Sequence, residues 1–443
     1  MNKYIGLIEL HSHLYGSISA ELLYEIGKNN PNPRWHIFND LYEKFYQNRI
    51  DSNNFFNIYD TIDKFKELYY FKEKAPFEVF QSKFNLIIAL SRFNPDEIRE
   101  ISKNVLRESA NKDIIYSEFR IMYSPLATES DYLERTLAAC IGLSEGEKSN
   151  GVKGRLVVSL HRQPGFEAQY SWLKKAMQEN QLISEYLVGI DFCNIEEGYP
   201  PKNKKDFFKK VLHDNELDQN NSLAILYHVA ESFQDKSHIS ACRWIAEASD
   251  YGAHRLGHCI ALGETMNKFV GSLRLENKDE FIDTNEYILN NYEEISQYGN
   301  FSDYEYFQSN LNKAKSSRDN ITIYYDKEFM ENLEIFRKFV IQKLKINGTV
   351  VETCPSSNYL IGMIDTYENL PVKAFSDTNL RLTIGADDPG IFNIDLQEEY
   401  KICESIGISV DKLKTINDNS KYFTSEILSG KKSRPKGFEP PTF

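Results

Sequence analysis

The chain has 443 residues, of which 41% are hydrophobic and 26% charged, and a formal net charge of -13. This balance is typical of a globular protein with a large buried core. The negative charge disfavours nucleic acid and anionic membranes as partners, because both would be repelled, and it favours small or neutral substrates. The six cysteines are scattered without a CxxC pair, and no run of about 18 apolar residues occurs. These features predict a cytoplasmic protein without transmembrane segments.

Eight short apolar or β-branched runs alternate with amphipathic helical stretches along the chain. One such stretch is SAELLYEIGK, in which Ser19 can cap a helix. Alternating strands and helices indicate a parallel sheet, and eight such units close a barrel. We therefore predict an α/β protein with a single (β/α)8 TIM barrel over residues 1–430. The predicted strands span residues 6–10, 114–119, 156–160, 186–191, 223–227, 255–258, 348–353 and 380–385.

Two connections are longer than a barrel needs. Residues 17–113 form a helical elaboration after strand one, and residues 263–342 form a second insertion after strand six. The second insertion follows a candidate active-site strand, so it is either a lid or a helical unit that packs on the rim or contacts another subunit. The basic, proline-rich residues 431–443 are predicted to be a disordered tail.

Candidate catalytic side chains are expected at the carboxyl ends of the barrel strands. The first strand ends in His11-Ser12-His13. Because side chains alternate between the two faces of a strand, both imidazoles can face one metal ion while Ser12 points away. The HxH pattern therefore indicates a metal site.

Strands five, six and eight end in further residues of this kind. Strand five ends in His228, with Glu231 three residues later as a candidate general acid or base, and strand six ends in His258. Strand eight ends in Asp387 and Asp388, whose adjacent charges call for a cation or a hydrogen-bond donor. Three histidines and an aspartate suit zinc, with one position left for a water that the ion would activate as a nucleophile.

These motifs resemble those of the adenosine deaminase family, in the same order over most of residues 5–400. ELHSHLYGS is similar to the first-strand motif of that family, YHVAES to its His-Ala-Gly-Glu motif and RLGHC to its Arg-Val/Ile-Gly-His motif. CPSSN and GADDPG are similar to the Cys-Pro-x-Ser and Asp-Asp-Pro motifs. The resemblance implies one Zn²⁺ per chain, bound by His11, His13, His228 and Asp387.

The resemblance also implies roles for three further residues. Glu231 would protonate N1 of a purine, and His258 would orient the attacking water and stabilise charge at C6. Asp388 would contact N7, and ammonia would leave. Protonation of N1 makes C6 electrophilic, which agrees with an acid at position 231.

The sequence departs from the family pattern at positions expected to contact the substrate. Tyr15 stands where an Asp or Glu usually follows the HxHL segment. The usual glycine before the catalytic glutamate is absent, since Val229 and Ala230 separate His228 from Glu231, and Asn194 replaces a glycine after strand four. We therefore predict that Tyr15 and Asn194 help to bind the substrate and to determine which purine is used.

The leading prediction is a zinc-dependent hydrolytic deaminase in purine metabolism that converts adenosine or deoxyadenosine to the inosine form. One alternative keeps this chemistry with adenine, AMP or a modified adenine as the substrate. Another is a non-catalytic purine-binding or assembly protein with the same barrel. The expected partner is a small purine, and a homo-oligomer is compatible with the sequence.

Overall fold

Eight parallel strands form the centre of the molecule in a computed structural model that describes residues 3–47, 49–50, 52–361 and 364–433. Each predicted strand overlaps an observed one, and the barrel prediction is confirmed. The strands in the described residues are β1 (Leu7–His13), β2 (Ile114–Met122), β3 (Lys153–Ser159), β4 (Leu187–Asp191), β5 (Ala224–Val229), β6 (Arg255–His258), β7 (Leu273–Glu276), β8 (Ile321–Tyr324), β9 (Val350–Thr353) and β10 (Arg381–Ile384).

The barrel closes between its first and last strands. The parallel sheet has the order β1-β2-β3-β4-β5-β6-β9-β10, and Ser12 pairs with Asp387 across the remaining gap. The backbone N–H of His13 donates to the Asp387 carbonyl at 2.8 Å, and the Asp387 N–H donates to the His11 carbonyl at 2.9 Å. Closure therefore places the HxH segment directly beside the acidic end of the last strand.

Helices cover the outside of the barrel, and their ends follow local sequence signals. Ser19 caps the first helix as predicted, because its side chain accepts a hydrogen bond from Leu22 N. The helices before β6 are α1 (Ala20–Lys28), α2 (Trp35–Tyr46), α3 (Phe55–Ile58), α4 (Ile62–Tyr69), α5 (Phe77–Leu90), α6 (Pro95–Asn111), α7 (Glu129–Asn150), α8 (Phe166–Glu179), α9 (Gln181–Tyr186), α10 (Lys205–Leu217) and α11 (His238–Asp250). Those after β6 are α12 (Ile260–Gly263), α13 (Lys278–Asn290), α14 (Tyr292–Ile295), α15 (Tyr304–Ser316), α16 (Lys327–Asn347), α17 (Pro355–Leu360), α18 (Pro371–Ser376), α19 (Pro389–Phe392), α20 (Leu396–Ser405), α21 (Val410–Ser420) and α22 (Ser425–Leu428).

Both predicted insertions are present. Helices α1 to α6 lie between β1 and β2, and helices α12 to α16 lie between β6 and β9. The second insertion also contains a two-stranded antiparallel sheet that the sequence analysis did not predict, in which β7 pairs with β8 from Leu273 opposite Tyr324 to Glu276 opposite Ile321. The insertion is thus mixed in secondary structure.

The described part of the chain contains no helix that is both long and apolar enough to cross a membrane. Most of the predicted tail, residues 434–443, falls outside the described residues. Lys431, at the start of that segment, donates a hydrogen bond from Nζ to the Leu187 carbonyl at 2.9 Å. The described chain therefore still contacts the barrel at residue 431.

Candidate metal and catalytic site

Four potential metal ligands meet at the carboxyl ends of the barrel strands. The ligand atoms of His11, His228, His258 and Asp387 lie within 4.8 Å of one another, and all four residues are buried. Gly257 makes room for this approach, because a Cβ at that position would lie 2.9 Å from Cε1 of His11. Strands far apart in sequence therefore converge on one compact group of nitrogen and oxygen atoms.

His13, the fourth predicted ligand beside His11, His228 and Asp387, lies at the same place. Its Nε2 is 3.2 Å from Oδ1 of Asp387, and Nε2 of His11 is 3.5 Å from the same oxygen. Two ligands about 2.1 Å from a tetrahedral ion are separated by about 3.4 Å, so both spacings fit a shared zinc ion. His258 was not predicted as a metal ligand, but its ligand atom also lies within 4.8 Å of those of His11, His228 and Asp387.

Three of these imidazoles are oriented by a partner on the ring nitrogen that faces away from the cluster. Nδ1 lies 2.7 Å from a Glu352 oxygen in His11, 3.1 Å from an Asp191 oxygen in His228 and 2.9 Å from Oδ1 of Asn358 in His258. The opposite nitrogen, Nε2, is buried in all three and has no hydrogen-bond partner among the residues that the structure describes. A carboxylate or amide on one nitrogen leaves the lone pair of the other directed at a metal, so these residues fit the ion.

A buried network of charges lies below the histidines. Arg120 contacts Glu352 at 2.5 Å and Asp191 at 3.6 Å, and Arg255 contacts Glu352 and Glu118, both at 2.6 Å. Burial raises the pKa of Asp191, but His228 and Arg120 outweigh it and hold the pKa well below its usual range. Burial likewise opposes ionisation of Glu352, but Arg120 and Arg255 hold its pKa well below the usual range, so the carboxylates behind His11 and His228 are both charged.

The pKa values of the two adjacent aspartates after β10 are shifted in opposite directions. Burial opposes ionisation of Asp387, but contacts with His11 and His13 lower its pKa well below the usual value. Burial and the neighbouring Asp387 raise the pKa of Asp388. The Asp388 side chain packs over Gly16, where a Cβ would lie 1.6 Å from Oδ1 of Asp388. Glycine at position 16 is therefore required for this placement.

Glu231 joins this cluster to a cavity. Its Oε1 lies 3.7 Å from Nε2 of His258, and the residue lines a cavity of about 450 Å³ together with the segment 74–77 of the first insertion. This volume is within the usual range for small-molecule sites. A smaller cavity of about 240 Å³, lined in part by His254 and Thr349, lies at the opposite strand ends and is not lined by the histidines of the candidate metal site.

The two residues predicted to select the substrate lie outside the lining of the 450 Å³ cavity. Tyr15 is buried, its ring centroid is 4.4 Å from that of Phe93, and its hydroxyl has no partner among the described residues. Asn194 is exposed, and its Oδ1 accepts a hydrogen bond from Ile195 N at 2.7 Å. Their part in substrate binding stays a prediction.

The residues that orient the imidazoles were not predicted from the sequence. Glu352 and Asn358 come from β9 and α17, and Asp191 ends β4. Only Asn358 carried a signal, since it belongs to the CPSSN motif quoted above, although no role followed from that motif.

Comparison with known proteins shows a similarity to deaminases. A model of the family described as adenosine deaminase matches residues 324–428, which include both aspartates of the site. An adenosine deaminase of Shewanella denitrificans is 22% identical over 433 residues, covering 95% of this chain and 94% of that protein.

Solved structures support the same fold. The adenine deaminase of Arthrobacter aurescens has a TM-score of 0.57 at 14% identity and covers 97% of this chain and 98% of that one. The N6-methyl-AMP deaminase of Arabidopsis thaliana has a TM-score of 0.56 at 19% identity, with 96% and 93% coverage. A zinc-bound amidohydrolase from Burkholderia ambifaria has a TM-score of 0.55 at 15% identity, with 95% and 85% coverage. In its motifs, its barrel and these comparisons, the chain is similar to proteins of the adenosine deaminase family.

Proposed function

We propose that the protein is a zinc-dependent deaminase that hydrolyses the 6-amino group of adenosine or deoxyadenosine, giving the inosine form and ammonia. The observation that carries this proposal is a group of buried imidazole Nε2 atoms beside Glu231 at a small-molecule cavity. Within the described part of the chain these atoms have no hydrogen-bond partner. The full-length likeness to a protein named adenosine deaminase makes adenosine the first candidate substrate.

In this proposal His11, His13, His228 and Asp387 hold one zinc ion. When bound, the ion lowers the pKa of a coordinated water toward 7 and so supplies a nucleophile at neutral pH. Asp387 suits this role because its contacts with His11 and His13 keep the carboxylate ionised. The zinc in the amidohydrolase of similar fold supports the choice of metal.

The remaining side chains act on the purine and on protons. Glu231 protonates N1 from the cavity wall, which draws electrons from C6 and prepares it for attack. His258, with Nδ1 fixed by Asn358, presents Nε2 at 3.7 Å from Glu231 and stabilises charge on the attacking oxygen. Purine N7 only accepts hydrogen bonds, so its contact with Asp388 requires the neutral acid form of that residue.

A nucleotide is the second candidate substrate, and one observation favours it. Lys74 lines the cavity that contains Glu231, and its Nζ lies 2.6 Å from the Ile364 carbonyl and 3.6 Å from Asp365. An ammonium group at the wall suits a phosphate. The deaminases of similar fold act, by their names, on adenine or N6-methyl-AMP, so adenine and modified adenines belong in the same test.

The test is an ultraviolet assay of the zinc-loaded protein with adenosine, deoxyadenosine, adenine, AMP and N6-modified adenines. Glu231→Gln removes the acid while keeping the shape of the side chain, and we expect loss of turnover with unchanged zinc content. His228→Ala is the matched metal-site variant and should lose zinc as well as turnover. Stoichiometric zinc without turnover of any compound in the panel would instead favour a purine-binding or assembly protein.

The cellular setting is part of the proposal. The six cysteines are buried and unpaired, as is usual in a reducing compartment, which supports the cytoplasmic prediction. A small purine is the proposed partner, and a homo-oligomer is left to measurement of the mass in solution.

A further inference from the structure

Glu231 lies on a tight turn after β5 that has an unfavourable backbone conformation. Ala230, immediately before it, has φ of 54°, in the left-handed region that glycine adopts more readily than alanine. Ala230 is also almost fully buried, with 1% of its surface exposed. Such a conformation persists only when neighbouring contacts hold it in place.

One buried carboxylate supplies these contacts. Glu196, in the connection after β4, accepts a hydrogen bond from Ala230 N through Oε2 at 2.9 Å and one from Ser232 N through Oε1 at 2.6 Å. Its two oxygens therefore bind the backbone amides on both sides of Glu231. Glu196 is itself only 3% exposed, so water does not compete for these two bonds.

The surrounding contacts tie the same two strand ends together. The Arg162 guanidinium donates to the carbonyls of Phe192, just after β4, and His228, in β5, at 2.8 and 2.7 Å. The turn is therefore held from two sides: Arg162 binds the carbonyl of His228 before it, and Glu196 binds the amides of residues 230 and 232. The Glu231 side chain is left to face the cavity and His258.

We propose that Glu196 is a positioning residue that holds Glu231 in its reactive place by binding the amides of residues 230 and 232. This proposal rests on the proposed function, because it takes Glu231 as the acid that protonates the purine. A displacement of about 1 Å at a reacting group can cost about 100-fold in rate. Loss of the support should therefore lower kcat while the metal site and the rest of the cavity remain.

The test compares Glu196→Gln with Glu276→Gln in the full-length zinc-loaded protein. The amide in Glu196→Gln keeps one acceptor and places an NH₂ group against a backbone N–H. Glu276 is the matched control, because it is also buried and accepts bonds from the backbone and side chain of Ser237 at 3.1 and 3.3 Å, without contacting the Glu231 turn. We expect Glu196→Gln to lower kcat by about 10- to 100-fold with KM and zinc content little changed. The control should stay within about twofold of the wild type.

A second measurement does not depend on turnover. Hydrogen exchange of a peptide covering residues 227–234, which excludes the Ser237 amide bound by Glu276, should speed up in Glu196→Gln and remain at the wild-type rate in Glu276→Gln. If the wild type turns over none of the purines, the proposed function fails, while faster exchange still supports the positioning role. Unchanged exchange, an unchanged kcat in an active enzyme, or an equal loss of kcat in both variants would overturn it. A double variant with Glu231→Gln should lose little beyond Glu231→Gln alone, because both changes act on the same proton transfer.

Discussion

Replacement of Asp191 by asparagine should weaken zinc binding without removing a ligand. Oδ1 of Asp191 lies 3.1 Å from Nδ1 of His228, and its other oxygen accepts from Oγ of Ser159 at 3.0 Å and lies 3.6 Å from Nε of Arg120. Asparagine has the same shape but no charge, so it orients His228 less strongly and makes the imidazole a poorer electron donor.

The loss of stability expected for Asp191→Asn can be separated into a part that depends on zinc and a part that does not. Removal of a partner behind a ligating histidine typically costs about 10- to 100-fold in metal affinity, or about 1.4 to 2.7 kcal/mol. Arg120 loses one of its two carboxylate partners and keeps Glu352, which lowers the stability of the protein with or without zinc. The difference between the free energies of unfolding with zinc and with chelator therefore reports only the part that acts through His228.

The assay is a competition titration with a chromophoric chelator, together with urea unfolding of the zinc-loaded and chelated protein. Chelation should lower the stability of the wild type and lower that of Asp191→Asn by a smaller amount. Ser159→Ala is the control, because it removes a hydrogen bond to Asp191 without touching His228. A zinc affinity of Asp191→Asn within about twofold of the wild type, or an equal loss in Ser159→Ala, would refute the reasoning.

Three further changes test other parts of the structure. Glu352→Gln should lower the free energy of unfolding by about 3 to 5 kcal/mol in urea titrations, because Arg120 and Arg255 lose a shared buried partner; a loss under 1 kcal/mol would contradict this. Burial lowers the pKa of His238 from 6.5 to about 4, so the unfolded chain takes up its proton first and stability falls as pH drops from about 6.5 to about 4, by up to about 3 kcal/mol. His238→Gln should show a shallower slope in unfolding titrations across this range, and an unchanged slope would count against the assignment. Tyr15→Phe should leave the stability unchanged or higher by up to about 1 kcal/mol, since the hydroxyl has no partner among the described residues, and a raised KM would show that it binds substrate.

The barrel could be predicted because its strands carry their signal locally. A parallel strand covered on both faces appears as a short apolar run, and β4 is buried along its whole length. The predicted end of β1 was too early, at residue 10, because the strand continues through polar residues to His13. Polar side chains are stable there because they face the interior cluster of histidines and carboxylates.

The orienting contacts could not be predicted because they join distant parts of the chain. The partners of His228, His11 and His258 lie 37, 341 and 100 residues away in sequence. No local period or motif encodes such pairs. The β7–β8 sheet escaped prediction for the same reason, since its two four-residue strands lie on either side of a long helical segment.

Two departures from the family pattern have a common backbone explanation. Ala230 and Asn194 stand where the resemblance predicts glycine, and both have left-handed backbones, with φ of 54° and 71°. Asparagine tolerates this region well, whereas for alanine it costs about 1 to 2 kcal/mol. The buried Ala230 therefore needs compensation, which Glu196 supplies through the amides on either side of Glu231. The sequence marks the altered position, but the residue that supports it comes from another strand end and is visible only in the fold.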